Sequence, residues 1–176
     1  SAQTALWHIT HAMLRWMAPF LSFTAEEAWP LLAPGRSASI FTETYVDTAG
    51  WVDDPLRAKW TRLREIREAA NKVIEDQRAA GALGSSLQAN LLITAAADDH
   101  ALLGSLGEDL KFVTITSAVA LHEGPALAIV ATPSAAQKCE RCWHWRDDVG
   151  ADASHPTACG RCVSNLHGAG ETRRFA

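Results

Sequence analysis

The sequence predicts an α+β fold in three consecutive parts: a helical bundle fragment, a small α/β module and a C-terminal four-cysteine finger. Apolar residues recur at three- and four-residue steps over the first part of the chain, which is the period of helices with one buried face. Short apolar runs bounded by turn residues follow, and all four cysteines lie near the C-terminal end. We therefore divide the chain into predicted domains at residues 1–82, 83–136 and 137–176.

The composition is that of a chain with a hydrophobic core and little net charge. Of its 176 residues, 48% are hydrophobic, and the formal net charge is −4. This hydrophobic content excludes global disorder. No apolar run approaches the roughly 20 residues that a membrane helix needs, so we expect no membrane partner. The mildly acidic balance on its own argues against a general nucleic-acid binder.

The first predicted element is an amphipathic helix that begins almost at the first residue and ends at Pro19. Its apolar side chains are spaced as on one buried face: Leu6, Ile9, Met13 and Trp16 or Met17. The abrupt entry into this helix suggests a fragment of a longer helical domain.

A second, shorter helix is predicted to follow. Thr24 and Glu27 have the spacing of a capping box, and Phe23 precedes them where a hydrophobic staple residue would lie. Pro30 lacks a backbone donor and is expected to end the helix. Two further segments are predicted without helix: a loop at 33–37 and an extended segment at 39–46.

The longest predicted helix begins at Asp53-Asp54-Pro55 and stops at Gly81, about 25 residues later, a length of roughly 37 Å. One face is apolar. The other carries seven cations: Arg57, Lys59, Arg62, Arg64, Arg67, Lys72 and Arg78. Interleaved acids favour a solvated face with local ion pairs, and contact with an RNA backbone is the alternative.

Residues 83–136 are predicted to form a small module with an antiparallel sheet. The expected elements are a strand at 87–95, a helix at 98–110, strands at 112–116, 119–122 and 127–131, and a linker at 133–136. This region has no phosphate-binding glycine loop and no nucleophile elbow, so we expect no catalytic residue in it.

The four cysteines form two Cys-x-x-Cys pairs, Cys139 with Cys142 and Cys159 with Cys162, separated by sixteen residues. This spacing is typical of a structural zinc site, because each pair closes a tight turn and offers two thiolates to one ion. With all four positions filled by sulfur, no open site remains to activate water. The C-terminal part is therefore predicted to be a four-cysteine zinc finger that holds structure and does no chemistry.

Other uses of the cysteines are less well supported. The sequence shows no secretory leader, so reduced thiols are expected rather than disulfides, and two pairs are redundant for one redox exchange. His144 and His155 lie between the pairs, but four cysteines already complete a zinc site. Iron is the other metal that four thiolates accept.

Several stretches resemble class I aminoacyl-tRNA synthetases. Met17-Ala-Pro-Phe-Leu-Ser-Phe-Thr-Ala-Glu-Glu-Ala-Trp29 is similar to the anticodon-binding helical domain of the enzymes for isoleucine, valine and leucine. Lys138-Cys-Glu-Arg-Cys-Trp-His-Trp145 and Cys159-Gly-Arg-Cys-Val-Ser-Asn-Leu166 resemble the C-terminal zinc module of bacterial isoleucyl-tRNA synthetases. The resemblance covers essentially the whole chain and departs from the family at Pro30.

The resemblance implies the tRNA-binding C-terminal portion of an isoleucine-tRNA ligase, which uses ATP to attach isoleucine to its tRNA. The segment itself is expected to be non-catalytic, because the signature motifs His-Ile-Gly-His and Lys-Met-Ser-Lys-Ser are missing from the sequence. ATP and isoleucine would bind only the catalytic domain of the parent. The implied partner is the anticodon arm of isoleucine tRNA, with no DNA partner, in a monomeric cytoplasmic enzyme.

Within this portion, five residues are candidates for RNA contacts. Side chains between and just after the cysteines of a zinc turn point outward, so Arg141 and Trp143 are the first candidates. Trp143 packed beneath the turn is the alternative. Arg161, Arg173 and Arg174 are candidates for phosphate contacts.

Two other functions remain open at the sequence level. A DNA-repair glycosylase carries a related four-cysteine finger at its C-terminus, but it would need a catalytic proline at its N-terminus and a helix–two-turn–helix. A stand-alone zinc module that binds protein partners is the third possibility.

Overall fold

The computed structural model describes residues 2–32, 35 and 37–171, which form two compact units. The first unit lies before Asp54 and the second begins there. The overall α+β class is as predicted, with six helices and two small sheets among the described residues. The division into domains 1–82, 83–136 and 137–176 stays a prediction. None of the described helices is long and apolar enough to cross a membrane.

The first unit contains two helices, α1 (Ala2–Met17) and α2 (Ser22–Leu32), and two single 3₁₀ turns, Ile40–Thr42 and Ala49–Trp51. Its small core consists of Leu14, Ala18, Ala25, Trp29 and Ile40. The indole of Trp29 is fully buried at the centre of this core, and its Nε1 donates a hydrogen bond to the carbonyl of Ser37 at 3.1 Å.

The predicted buried face of α1 is wrong. Leu6 is 62% exposed, and Ile9, Met13 and Trp16 are exposed as well. The buried face instead carries His11, Ala12, Leu14 and Arg15. Arg15 forms an ion pair with Glu43 (2.7 Å), and its guanidinium lies 4.8 Å from the centroid of the Trp29 ring. These two contacts explain why the polar face of α1 is buried.

The predicted ends of α2 are also wrong. The helix begins at Ser22, two residues before the expected capping residue Thr24, and Phe23 is 87% exposed rather than stapled. It then continues through Pro30 to Leu32. We attribute this to the burial of Trp29, which fixes the turn on which the proline lies.

The segments after α2 differ from expectation where they are described. The predicted loop at 33–37 lies partly outside the described residues, which include only 35 and 37 of it. The predicted extended segment at 39–46 begins with a 3₁₀ turn, because the carboxylate of Glu26 accepts from the amide of Ile40 at 2.9 Å. Within 43–46 no strand forms.

Helix α3 (Asp54–Ala79) opens the second unit and matches the prediction closely. Its C-terminal stop is a Schellman motif: the amide of Ala82 donates to the carbonyl of Gln77 (2.9 Å), and that of Gly81 to Arg78 (3.0 Å). Gly81 adopts a positive φ of 75°, which explains why a glycine stands there.

The exposed face of α3 carries ion pairs between residues three positions apart. The pairs are Arg57 with Asp54, Arg62 with Glu65, and Arg78 with Glu75. These contacts support the interpretation of this face as a solvated surface with local ion pairs.

A three-stranded sheet lies against α3 and is built from β1 (Ala89–Ala95), β2 (Ala118–Glu123) and β3 (Ala128–Pro133) in the order β2-β1-β3. The predicted antiparallel sheet is correct for β1 with β3, but β1 and β2 are parallel. The helical segment between β1 and β2 provides the crossover that a parallel pair requires.

That crossover contains two helices where the sequence predicts a helix and a strand. Helix α4 (Ala97–Gly104) and a 3₁₀ turn are followed by α5 (Leu110–Thr114). The predicted strand at 112–116 is therefore wrong, and a left-handed Ile115 (φ 55°) ends α5. A short apolar run fits a strand and a buried helical turn equally well, and Val113 of this run packs against the core.

The core of the second unit lies between the sheet and the helices. Leu63, Ile66 and Ile74 of α3 pack with Leu91 and Ile93 of β1. The predicted linker at 133–136 is partly joined to the sheet, because Pro133 ends β3 and the amide of Ser134 donates to the carbonyl of Gln88 at 2.8 Å.

The cysteine segment follows in the same unit. Strands β4 (Gln137–Lys138) and β5 (Trp145–Arg146) form an antiparallel pair around the first two cysteines, and α6 (Gly160–His167) carries the last one.

Candidate metal centre

The four cysteine sulfurs converge on one point. All four Sγ atoms lie within 4.8 Å of one another, with 3.8 Å between Cys139 and Cys162 and 3.7 Å between Cys142 and Cys159. Sulfurs at the corners of a tetrahedron, each roughly 2.3 Å from the ion, are about 3.8 Å apart. The cysteines are free of disulfides and are positioned to bind one metal ion.

Backbone hydrogen bonds shape the first cysteine turn. The amide of Cys139 donates to the carbonyl of His144 at 2.9 Å, and the amide of Trp143 donates to the carbonyl of Cys139 at 2.9 Å. The turn between β4 and β5 therefore closes on itself and presents both sulfurs to the same side. Trp143 completes it with a positive φ of 65°.

The second cysteine pair lies at the start of α6. Cys159 precedes the first residue of the helix in extended conformation, and Cys162 follows within the first turn. The amide of Cys159 donates to the Sγ of Cys139 at 3.3 Å, which ties the second pair to the first.

The thiols have divergent pKa values because they are crowded and buried. Burial raises the pKa of Cys142 to about 12 and also raises the pKa of Cys159. Burial opposes ionisation of Cys139 too, but hydrogen bonds from backbone amides outweigh it and lower its pKa to about 6. Four thiolates at this distance require a compensating cation, and soft sulfur donors in a tetrahedron suit zinc.

Neither nearby histidine belongs to the sulfur cluster. The Nδ1 of His144 lies 3.1 Å from the carbonyl of Cys142, and burial lowers the pKa of this imidazole. His155 stacks against His167 with 4.1 Å between the ring centroids. The site is thus closed by sulfur, and its chemistry is structural.

The two first candidates for RNA contact both lie on the surface of the first cysteine turn. The ring of Trp143 is 58% exposed, so it does not pack beneath the turn, and the Nζ of Lys138 lies 5.7 Å from its centroid. Arg141 is exposed, but its Nη1 donates to the Sγ of Cys162 at 3.5 Å, and this bond raises its pKa.

The other three candidates differ in their surroundings. The side chain of Arg161 is only 25% exposed: its guanidinium donates to both carboxylate oxygens of Glu171 and lies 4.7 Å from the centroid of the Phe112 ring. Arg173 and Arg174 lie outside the described residues.

Sequence reasoning missed three residues that support this site. Asp148 accepts hydrogen bonds from Arg146 and from the amide of Gly160, and Ser117 accepts from the amide of Trp145 at 2.6 Å. The ring of Phe112 packs against His144. Ser117 and Phe112 lie far along the chain from the residues they contact, and Asp148 is a carboxylate of an ordinary type. No spacing rule could have found these three residues.

Two protein families match this chain. Residues 1–93 match the anticodon-binding domain of tRNA ligase, and residues 136–165 match the zinc finger found in FPG and IleRS. The second match covers the four cysteines and the turn with Trp143.

Curated relatives resemble the chain over its length. An isoleucine--tRNA ligase of Bordetella petrii is 55% identical over 183 aligned residues, which cover 98% of this chain and 19% of the relative. Those of Azoarcus sp. and Janthinobacterium sp. are 53% and 51% identical and cover 100% of this chain and 19% of each relative. The chain spans about a fifth of the length of these relatives.

The resemblance stated from the sequence motifs is confirmed by both matches and by the relatives. The anticodon-binding match reaches over more than half of the 176 residues. The chain therefore belongs to the anticodon-binding domain family of tRNA ligases.

Proposed function

We propose that this chain is the tRNA-binding C-terminal portion of an isoleucine--tRNA ligase. The observation that carries the proposal is the identity of 51–55% to isoleucine--tRNA ligases across the whole chain. In the parent, ATP-dependent attachment of isoleucine would occur in a catalytic domain outside this chain. The role left for this portion is to hold the anticodon arm of isoleucine tRNA.

The zinc ion in this proposal is bound by Cys139, Cys142, Cys159 and Cys162. Bound there, zinc supplies a rigid cross-link between the two cysteine turns, with no open position for water or substrate. The converging sulfurs support this assignment.

Trp143 would then stack on an unpaired base of the anticodon arm, because single-stranded RNA is recognised largely by aromatic stacking. The exposure of its ring on a turn fixed by two ligands supports this role. Arg141 lies two residues away on the same turn and would contact a phosphate while it remains bonded to Cys162.

Arg161, Arg173 and Arg174 are proposed as further phosphate contacts, with unequal support. Arg161 would have to leave Glu171 or share its guanidinium with a phosphate. The alternative site on α3 has less support, because Arg57, Arg62 and Arg78 already pair with acids.

We propose a monomeric, cytoplasmic parent enzyme. A DNA-repair glycosylase is not favoured, although its family shares the finger, because residues 1–93 match an anticodon-binding domain.

The test is a titration of the chain with isoleucine tRNA, a non-cognate tRNA and duplex DNA at the same salt concentration. Isoleucine tRNA should bind more tightly than both, and its affinity should fall as salt rises because phosphate contacts release counterions. Equal binding of all three would contradict a specific anticodon contact. Tighter binding of duplex DNA would favour the glycosylase alternative.

A further inference from the structure

The carboxylate of Asp148 connects the end of β5 to the start of α6. Its Oδ2 accepts a hydrogen bond from the amide of Gly160 at 3.2 Å. Arg146 holds the same carboxylate from the other cysteine turn, with Nε 2.8 Å from Oδ1 and Nη2 3.0 Å from Oδ2. The side chain that meets the start of α6 is therefore fixed by the end of β5.

This contact lies between the two ligands of the second pair. Gly160 directly follows Cys159, lies two residues before Cys162 and is the first residue of α6. The first amides of a helix have no partner within the helix, so an acceptor at this point fixes where the helix begins. It thereby fixes the direction in which both sulfurs point.

The approach of Asp148 leaves no room for a side chain at residue 160 unless the carboxylate moves. A Cβ on residue 160 would lie 2.9 Å from the Oδ2 of Asp148, well inside ordinary contact. The backbone φ of Gly160 is not in the left-handed region, so the absence of a side chain and not a special conformation explains this glycine.

A second side chain also connects the first cysteine turn to the second. Arg141, from the first cysteine turn, donates from Nη1 to the Sγ of Cys162 at 3.5 Å. A guanidinium at this distance offsets negative charge on the sulfur and holds it in place.

We propose that Asp148 and Arg141 are positioning residues of the metal site, which hold the second cysteine pair in the geometry that the ion needs. Asp148 acts through the backbone of α6, and Arg141 acts on the sulfur of Cys162. The inference rests on the proposed zinc site and is independent of RNA binding. Loss of such an outer partner typically weakens metal affinity roughly 10- to 100-fold.

The test measures zinc affinity of the 176-residue chain by competition with a chromophoric chelator. Asp148→Ala should weaken zinc binding about 10- to 100-fold. Asp148→Asn keeps an acceptor oxygen for the amide of Gly160 and should recover a large part of the loss. The matched control is Asp147→Ala, which removes an exposed carboxylate one residue away. It should change zinc affinity less than about threefold, well below the roughly 10- to 100-fold loss expected for a residue that positions a metal ligand.

Arg141 is tested against a neighbouring cation. Arg141→Ala should weaken zinc binding by a similar factor, whereas Lys138→Ala removes the same charge without a bond to sulfur and should have a much smaller effect. If Lys138→Ala costs as much as Arg141→Ala, general charge and not the contact with Cys162 is responsible, and the assignment of Arg141 is overturned.

Cobalt replaces zinc to separate positioning from folding. With saturating cobalt, the charge-transfer absorption of four thiolates should persist in Asp148→Ala, while the cobalt dissociation constant rises. Gly160→Ala should raise this constant as well, because its Cβ displaces the carboxylate. Unchanged affinities in both variants, with zinc bound normally by the parent chain, would overturn the inference for Asp148 alone. A parent chain that binds no metal would overturn the proposed zinc site.

Discussion

The guanidinium carbon of Arg161 lies 4.7 Å from the centroid of the Phe112 ring, which joins the second cysteine pair to α5. The same ring meets the imidazole of His144 edge to face at 5.5 Å. The hydroxyl of Ser117 accepts from the amide of Trp145 and donates to the carbonyl of Leu87. The finger is therefore packed on the α/β module through several side chains rather than attached only by a linker.

The pair of Arg161 and Phe112 should be energetically coupled. In a double-mutant cycle of Phe112→Leu and Arg161→Ala, we expect a coupling of about 0.5–2 kcal/mol in the free energy of unfolding, because leucine keeps apolar contact but lacks a π face. Urea unfolding in saturating zinc gives the free energies of unfolding of the parent chain, the two single variants and the double variant.

The control for this cycle pairs Phe112→Leu with Arg78→Ala, since Arg78 bonds Glu75 on α3. Its coupling should be near zero. A coupling for Arg161 that is no larger than this control would show that the contact of its guanidinium with the Phe112 ring contributes nothing to stability.

Trp143 should matter for RNA affinity and little for folding. A base stacked on an aromatic side chain contributes about 1–3 kcal/mol, so Trp143→Ala should weaken binding of isoleucine tRNA about 5- to 150-fold. Zinc content should not change, because the side chain lies on the outside of the turn. Fluorescence anisotropy of labelled tRNA measures the affinity.

Leu166 provides a matched control for Trp143, because it is a second exposed apolar side chain of the finger and lies on α6. Leu166→Ala should leave tRNA affinity within about twofold, since it removes no aromatic face for a base. An equal loss in both variants would indicate a general apolar effect, and no loss for Trp143→Ala would remove the proposed stacking.

The ion pair between Asp99 and Arg62 should make stability depend on acid pH. A bidentate contact with Arg62, at 2.7 and 2.8 Å, holds the pKa of Asp99 below its usual value of 3.8. A lowered carboxyl pKa stabilises the fold at pH above the usual value, and this stability disappears as pH falls through the folded-state pKa. Asp99→Asn should cost about 1 kcal/mol at pH 7, since Arg62 is partly exposed, and much less near pH 2.

Glu65 is the control for Asp99, because it accepts from the same guanidinium at 2.7 Å but is half exposed. Glu65→Gln should cost less than about 0.5 kcal/mol at pH 7. If the cost of Asp99→Asn in urea unfolding is the same at pH 7 and near pH 2, the ion pair is not its source.

The sequence predicted elements whose signals are local. Helix α3 combines an acidic start, a long apolar stripe and a stop at Gly81, and each signal lies within the helix or directly beside it. Strands β1 and β3 are apolar runs between turn residues, and their existence was predicted within a few positions. The cysteine spacing predicted a four-sulfur cluster because two tight turns leave few other arrangements.

The errors fall where distant residues decide the outcome. The buried face of α1 depends on Arg15 meeting Glu43 and Trp29, and hydrophobic periodicity assigns an arginine to the surface. The end of α2 depends on how deeply Trp29 is buried. In the finger, the sequence analysis made Arg161 a candidate for a phosphate contact. Its guanidinium instead pairs with Glu171, which lies beyond α6, and contacts the ring of Phe112 in α5.

The most direct test of the central claim combines metal content with tRNA binding in the same sample. Elemental analysis of the purified chain should give one zinc per chain, and removal of zinc by a strong chelator should abolish binding of isoleucine tRNA. Addition of zinc should restore that binding. A metal-free chain that binds isoleucine tRNA with undiminished affinity would contradict the account, because the surface around Trp143 would then form without the ion.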